Sequence, residues 1–93
     1  MVIGSVVVDL NLPGVNSLKE KRRILKPLIS RLQSRFNVSI AEVNFNDSLR
    51  RAQIGCAVVS NDRIFVDQVL AKIVRAIEAI PEVIMMDYRV ELL

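Results

Sequence analysis

The chain contains no histidine, one cysteine and three isolated glycines. Without histidine it lacks an imidazole base, a Ser-His or Cys-His dyad and a histidine metal ligand. Cys56, the single cysteine, cannot form an internal disulfide, and without histidine it does not make a zinc site of the usual kind. The isolated glycines do not form a glycine-rich phosphate loop. We therefore expect no enzyme activity, no metal, no cofactor and no small-molecule substrate.

Long hydrophobic runs are also missing. Runs such as Val6–Val8 and Val83–Met86 fall far short of the roughly 20 residues needed to span a bilayer. The first ten residues have no basic start and are interrupted by Asp9, unlike a signal peptide. Together with the single cysteine, these features predict a protein of the reducing cytoplasm with no membrane partner.

Apolar and basic residues, by contrast, are plentiful. The 93 residues are predicted to form one domain, residues 1–93, and 52% of them are hydrophobic. This fraction is slightly high for a soluble domain and favours coverage of some apolar surface by a partner or a second copy. Residues 1–51 hold nine basic and four acidic residues, whereas residues 52–93 hold four basic and six acidic residues. The positive charge thus belongs to one part of the molecule.

The periodicity of apolar residues predicts four strands and two helices in the order βαββαβ. The strands are expected within Met1–Leu12, Phe36–Val43, Arg51–Ser60 and Ile84–Leu92. Two strand–helix–strand units with right-handed crossovers interleave into a four-stranded antiparallel sheet with both helices on one face. The predicted fold is therefore α+β, of the ferredoxin-like split βαβ type.

The first helix begins with a capping box. We expect the Ser17 hydroxyl to accept a hydrogen bond from the Glu20 amide, and the Glu20 carboxylate to reach the Ser17 amide. Pro27 predicts a kink within a single helix. Lys21 is expected at the edge of the buried face, with its ammonium in solvent. The buried face comprises Leu18, Leu25, Leu28, Ile29, Leu32 and Phe36.

The second helix is predicted to start at Ser60-Asn61-Asp62, which supplies an N-cap and a first-turn acid, and to stop at Pro81. Its buried stripe is Val66, Val69, Leu70, Ile73, Ile77 and Ile80. In the last strand, the residues expected to face the helices are Ile84, Met86, Tyr88, Val90 and Leu92.

The opposite, open face of the predicted sheet carries no aromatic side chain. Its residues are Ile3, Ser5, Val7, Asp9, Asn11, Ser39, Ala41, Val43, Gln53, Gly55, Ala57, Val59, Asp87, Arg89 and Glu91. Proteins that read RNA on such a face stack bases on aromatic residues, so base stacking is not expected here. The apolar centre and polar rim of the face would suit a second copy, and a plain solvated face is the alternative.

A stripe of four basic residues is the strongest candidate for a binding site. Lys19, Arg22, Arg23 and Lys26 are predicted to lie on one exposed face of the first helix, where they could contact phosphates. The alternative is a solvated face that serves solubility. Arg50 and Arg51, after the turn residues 44–49, are either a second phosphate contact or only a charged strand start.

Several segments of the chain resemble the YlxP-like family, a bacterial family of unknown function. They are Leu12-Pro13-Gly14, Ser17-Leu18-Lys19-Glu20-Lys21-Arg22-Arg23, Phe36-Asn37-Val38-Ser39-Ile40-Ala41-Glu42-Val43 and Val58-Val59-Ser60-Asn61-Asp62. The resemblance implies a ferredoxin-like fold and a small cytoplasmic bacterial protein with no assigned activity. Genes of this family often stand in an operon with translation initiation and ribosome-assembly factors, including ribosome-binding factor A.

Two functions follow as hypotheses. The first is a non-catalytic module that associates with RNA or the ribosome during translation or ribosome maturation. The second is a homo-oligomeric structural or adaptor domain that binds a protein partner through its open sheet face. Acylphosphatases share the predicted fold, but their phosphate loop needs an arginine after the first strand, and residues 11–16 contain none.

Overall fold

The computed structural model describes all residues, Met1–Leu93, and has the predicted element order. The elements are β1 (Val2–Asn11), α1 (Leu18–Arg35), β2 (Ser39–Asn44), β3 (Arg51–Ser60), α2 (Arg63–Glu78) and β4 (Ile84–Leu92). The strands form one antiparallel sheet in the order β2-β3-β1-β4. The predicted ferredoxin-like α+β fold is confirmed.

The core lies between the sheet and the two helices. The alternation in β1 and β3 places every second side chain inward, as the sequence predicts; Val6, Val8, Ile54 and Val58 are all buried. Gly4 allows α2 to pack close to the sheet, since a Cβ atom there would overlap Val66 Cγ1. The helices contribute nine apolar residues to the core: Leu25, Leu28, Leu32, Val66, Val69, Leu70, Ile73, Val74 and Ile77.

The capping box of α1 forms with one difference from the prediction. The Glu20 amide donates to Ser17 Oγ at 3.1 Å, but Glu20 Oε2 accepts from the Asn16 amide, at 2.8 Å, and not from that of Ser17. The carboxylate extends past the cap and satisfies the amide before it. The helix continues as one element through Pro27, which lies exposed on its outer side.

Three predicted element boundaries are wrong by a few residues. β2 begins at Ser39 because the Phe36 amide still belongs to α1 and donates to the Leu32 carbonyl at 2.9 Å. Asp62 is itself the N-cap of α2, where its carboxylate accepts from two backbone amides, so it is not a first-turn acid. The helix ends at Glu78, ahead of Pro81.

A bulge in β4 changes which of its residues face the helices. Tyr88, Val90 and Leu92 pair with inward-facing residues of β1, as predicted. The register then shifts between Asp9 and Leu10, so that Leu10 pairs with Met85 and Asn11 with Ile84. The prediction that Ile84 and Met86 face inward is therefore wrong: Ile84 shares the open face with Asn11, and Met86 falls within the bulge and is exposed.

Candidate nucleic-acid interface

The outer face of α1 carries the predicted basic stripe. Lys19, Arg22, Arg23 and Lys26 are all exposed, because the buried residues of α1 occupy the opposite side of the helix. No carboxylate lies within 4.0 Å of any of these four side chains, since the one salt bridge in the structure joins Lys21 to Glu42. The stripe is thus a row of positive charges without a salt-bridge partner on one helix.

One side of this stripe borders an acidic groove. Arg23 lines a groove of about 460 Å³ between α1 and the segments 13–15 and 81–82, together with two acids, Glu20 and Glu82. Two carboxylates beside one guanidinium make the groove itself unfavourable for a phosphate. Lys19, Arg22 and Lys26 do not line this groove, which makes them the better-placed contacts for an anion.

Lys21 lies deeper in the protein than the sequence predicts. It is 2% exposed, and its ammonium lies within the protein, not in solvent. Nζ donates to the Phe45 and Ser48 carbonyls, both at 2.7 Å, and lies 2.8 Å from Glu42 Oε2. Three polar partners compensate for the burial of the charge, which would otherwise be strongly unfavourable.

The contacts of Lys21 hold the loop between β2 and β3 against α1. Phe45 and Ser48 belong to this loop, and the Ser48 amide also donates to the Phe45 carbonyl, at 2.9 Å. Phe45 adopts a φ of 62°, a left-handed conformation that is uncommon for an aromatic residue. Both carbonyls that accept hydrogen bonds from Lys21 thus belong to a tight turn in this loop.

The two arginines that follow this loop point to different places. Arg50 Nη2 donates to Asn16 Oδ1 at 3.4 Å, next to the start of α1 and its basic stripe. The Arg51 guanidinium lies 4.0 Å from the centre of the Phe45 ring, a cation–π contact, and Arg51 pairs with Asn11 in the sheet. The six predicted site residues therefore do not form one patch: Arg50 lies beside the N-terminus of α1, whereas Arg51 belongs to the open sheet face.

The open face has a shallow apolar depression but no aromatic residue within it. The depression, of about 290 Å³, includes Val7, Ala41, Val43 and Ala57, and Val43 lies over Gly55. A Cβ atom on Gly55 would come within 2.9 Å of Val43 Cγ1, so the glycine permits this packing. The stack of Arg51 on Phe45 has no local signal in the sequence, because it depends on the conformation of the loop between β2 and β3.

Cys56 lies inward on β3 and offers no nucleophile. It is 4% exposed, and burial raises the pKa of its thiol from 9.0 to about 11. The thiol therefore stays protonated at neutral pH and behaves as a small apolar group. No cluster of three or more Cys, Asp or Glu side chains that could hold a metal ion is present.

Comparison with known protein families assigns the chain to one of them. A family model described as "Protein of unknown function (DUF503)" matches residues 3–90. The chain belongs to the DUF503 family. This DUF503 domain is 35% identical, over 82 residues, to the uncharacterized protein YlxP of Bacillus subtilis (strain 168), a match that covers 88% of this chain and 89% of YlxP. The resemblance seen in the sequence motifs is thereby confirmed, and no catalytic family is indicated.

A solved structure supports the fold of this DUF503 domain. The de novo designed protein Foldit4 superimposes with a TM-score of 0.58 at 10% sequence identity, covering 100% of this chain and 97% of the designed chain. At that identity the similarity concerns the fold alone. Neither helix of the domain is both long enough and apolar enough to cross a bilayer.

Proposed function

We propose that this DUF503 protein is a non-catalytic cytoplasmic module that associates with RNA or a ribonucleoprotein through the outer face of α1. The observation that supports this most directly is the row formed by Lys19, Arg22 and Lys26, exposed and without a carboxylate partner. Arg23 and Arg50 extend the positive charge along the helix and around its N-terminus. With Lys21 buried and paired, residues 17–35 still carry six exposed basic residues against one acid, which exceeds what solubility requires.

The expected mode of binding is contact with the phosphate backbone. Arginine binds phosphate oxygens through two parallel hydrogen bonds, and lysine contributes a point charge. Since the sheet has no row of aromatic residues for base stacking, the protein would recognise the charge and shape of RNA more than its base sequence. The gene neighbourhood implied by the family resemblance favours ribosomal RNA as the partner, during translation or ribosome maturation.

The proposal is tested with two charge-reversal variants of equal net charge. The first changes Lys19, Arg22 and Lys26 to Glu on α1, and the second changes Arg63, Lys72 and Arg75 to Glu on α2, where all three are also exposed. Retention on RNA or on purified ribosomal particles is measured for both at equal ionic strength. We expect the α1 variant to lose binding and the α2 variant to keep it.

If the α1 variant binds RNA as well as the wild-type protein does, the basic face of α1 is only a solvent-exposed surface and not a binding site. The homo-oligomeric adaptor hypothesis would then take precedence. Its support is the apolar depression on the open sheet face, where Val7, Val43 and Ala57 could pack against a protein partner. Circular dichroism and thermal unfolding of both variants establish that the fold is intact.

A further inference from the structure

The free edge of β4 differs from the other edge of the sheet. β4 pairs with β1 alone, and its second edge has no partner strand. Five of the ten exposed large hydrophobic side chains in the protein lie between residues 84 and 93: Ile84, Met86, Tyr88, Val90 and Leu93. The opposite edge strand, β2, is six residues long, and Val43 is its one exposed large hydrophobic side chain. A long apolar edge is what monomeric proteins normally avoid, because it invites pairing with another strand.

The hydrogen-bond pattern identifies which backbone groups this edge offers. Ile3 and Leu93 exchange both of their backbone hydrogen bonds, at 2.7 and 3.5 Å. In an antiparallel ladder such pairs recur at every second residue, so the amides and carbonyls of Glu91 and Arg89 also face β1. Those of Tyr88, Val90 and Leu92 therefore face the unpaired edge.

The same residues carry the apolar side chains of the edge. Tyr88 and Val90 face the helix side of the sheet, yet they are 49% and 43% exposed, because α2 does not reach over them. A groove of about 390 Å³ runs between these two side chains and α2, whose Leu70 and Val74 form part of its wall. A strand added to β4 would cover both the backbone groups and this apolar row.

The charges on the opposite side of β4 make the edge complementary to itself. Asp87, Arg89 and Glu91 alternate along the open face of the strand. When a second β4 lies antiparallel with Val90 opposite Val90, Arg89 of each copy faces Glu91 of the other. On the helix side, Tyr88 of each copy then faces Leu92 of the other. Both charged pairs attract, and both apolar pairs bury surface.

Other alignments fit less well. An axis at Arg89 satisfies the backbone hydrogen bonds, but it sets the two Arg89 guanidinium groups opposite each other and Asp87 opposite Glu91, so its charged pairs repel. An axis at Tyr88 pairs Asp87 with Arg89 but brings Met86, at the bulge, into the ladder, where the register of β4 shifts. An axis at Val90 uses only the regular part of the strand.

We propose that two copies of this chain pair through β4, antiparallel about a two-fold axis at Val90, to form one continuous eight-stranded sheet. All four helices then lie on the same side of that sheet. In the monomer the Tyr88 amide donates to Asp87 Oδ1 at 2.8 Å, and pairing exchanges this local bond for the Leu92 carbonyl of the second copy. The surface is separate from the basic face of α1, so the proposal does not depend on RNA binding.

Two charge reversals and their mixture test this pairing by sedimentation equilibrium over a range of concentrations. The wild-type chain is expected to reach the mass of two chains. Arg89→Glu sets carboxylates opposite each other and Glu91→Arg sets guanidinium groups opposite each other, so each should weaken self-association by about tenfold or more. Mixed in equal amounts, the two variants should associate with each other, because every cation then meets a carboxylate.

Asp87→Ala is the matched control on the same face of the strand. It removes no charged pair in the proposed register and frees the Tyr88 amide, so association should be as tight as in the wild type or tighter. A wild-type chain that stays monomeric at every concentration would overturn the proposal and leave this edge to a strand of a different protein. Unchanged association of Glu91→Arg, or a mixture that does not recover, would equally overturn it. Circular dichroism verifies folding, and either single reversal tests the pairing if the other does not fold.

Discussion

Lys21 shows how one buried charge can organise a small domain. Its ammonium replaces water with two backbone carbonyls and one carboxylate, and these partners lie 21 to 27 residues further along the chain. The helical position of Lys21, on the same face as Leu25, Leu28 and Leu32, was the sequence signal for its burial. The distant partners, however, become visible only once β2 and its loop are packed against α1.

Replacing Lys21 by methionine should destabilise the protein by about 3–5 kcal/mol, because the Glu42 carboxylate would remain partly buried without its counter-ion. Urea unfolding measures this loss. Adding Glu42→Gln removes the unpaired charge, so the double variant should lose less than the sum of the two single variants. A loss below about 1 kcal/mol for Lys21→Met would show that this contact contributes no more than an exposed ion pair does.

Cys56 provides a pH-dependent test at the same scale. Its folded-state pKa of about 11 lies above the ordinary 9.0, so the folded state favours the neutral thiol. This contribution to stability is fully present below pH 9 and is lost as the pH rises through 11. We expect the free energy of unfolding to fall more steeply over this range in the wild type than in Cys56→Ala. Parallel pH profiles for the two proteins would contradict the burial of the thiol.

At the scale of the element, the two faces of α1 differ in what they contact. Its inner face packs on the sheet and fixes the loop between β2 and β3 through Lys21, while its outer face presents the basic stripe. Because no stripe residue belongs to the buried face, the charge of α1 can be changed without removing core contacts. The Ser17 cap fixes the start of the helix and thereby the positions of the basic residues that follow it.

Ser17→Ala tests the start of α1. The substitution removes the oxygen that accepts from the Glu20 amide at 3.1 Å, and such a cap contributes about 1 kcal/mol. Thermal or urea unfolding should show a loss of this size, and Ser17→Asp, which keeps an acceptor, should restore most of it. An unchanged midpoint for Ser17→Ala would contradict the cap.

At the scale of the whole molecule, the features set by neighbouring residues could be predicted from the sequence, whereas those set by contacts between distant residues could not. The alternation of β1 and β3 and the two helical stripes suffice for the βαββαβ order, because each pattern is set by neighbouring residues. The bulge in β4 depends on its pairing with β1, and the stack of Arg51 on Phe45 depends on the shape of a loop. The exposed basic residues of α1 were likewise predictable, whereas the separation of Arg50 from Arg51 was not.

Whether the outer face of α1 contacts RNA phosphates, as we propose, is measured by the salt dependence of RNA binding. The logarithm of the association constant is plotted against the logarithm of salt concentration for the wild type and for Lys19→Ala, Arg22→Ala and Lys26→Ala, with Lys72→Ala on α2 as control. Each lost phosphate contact should flatten the slope by about 0.7–0.9, while the control keeps the wild-type slope. Identical slopes for all five proteins would contradict the claim.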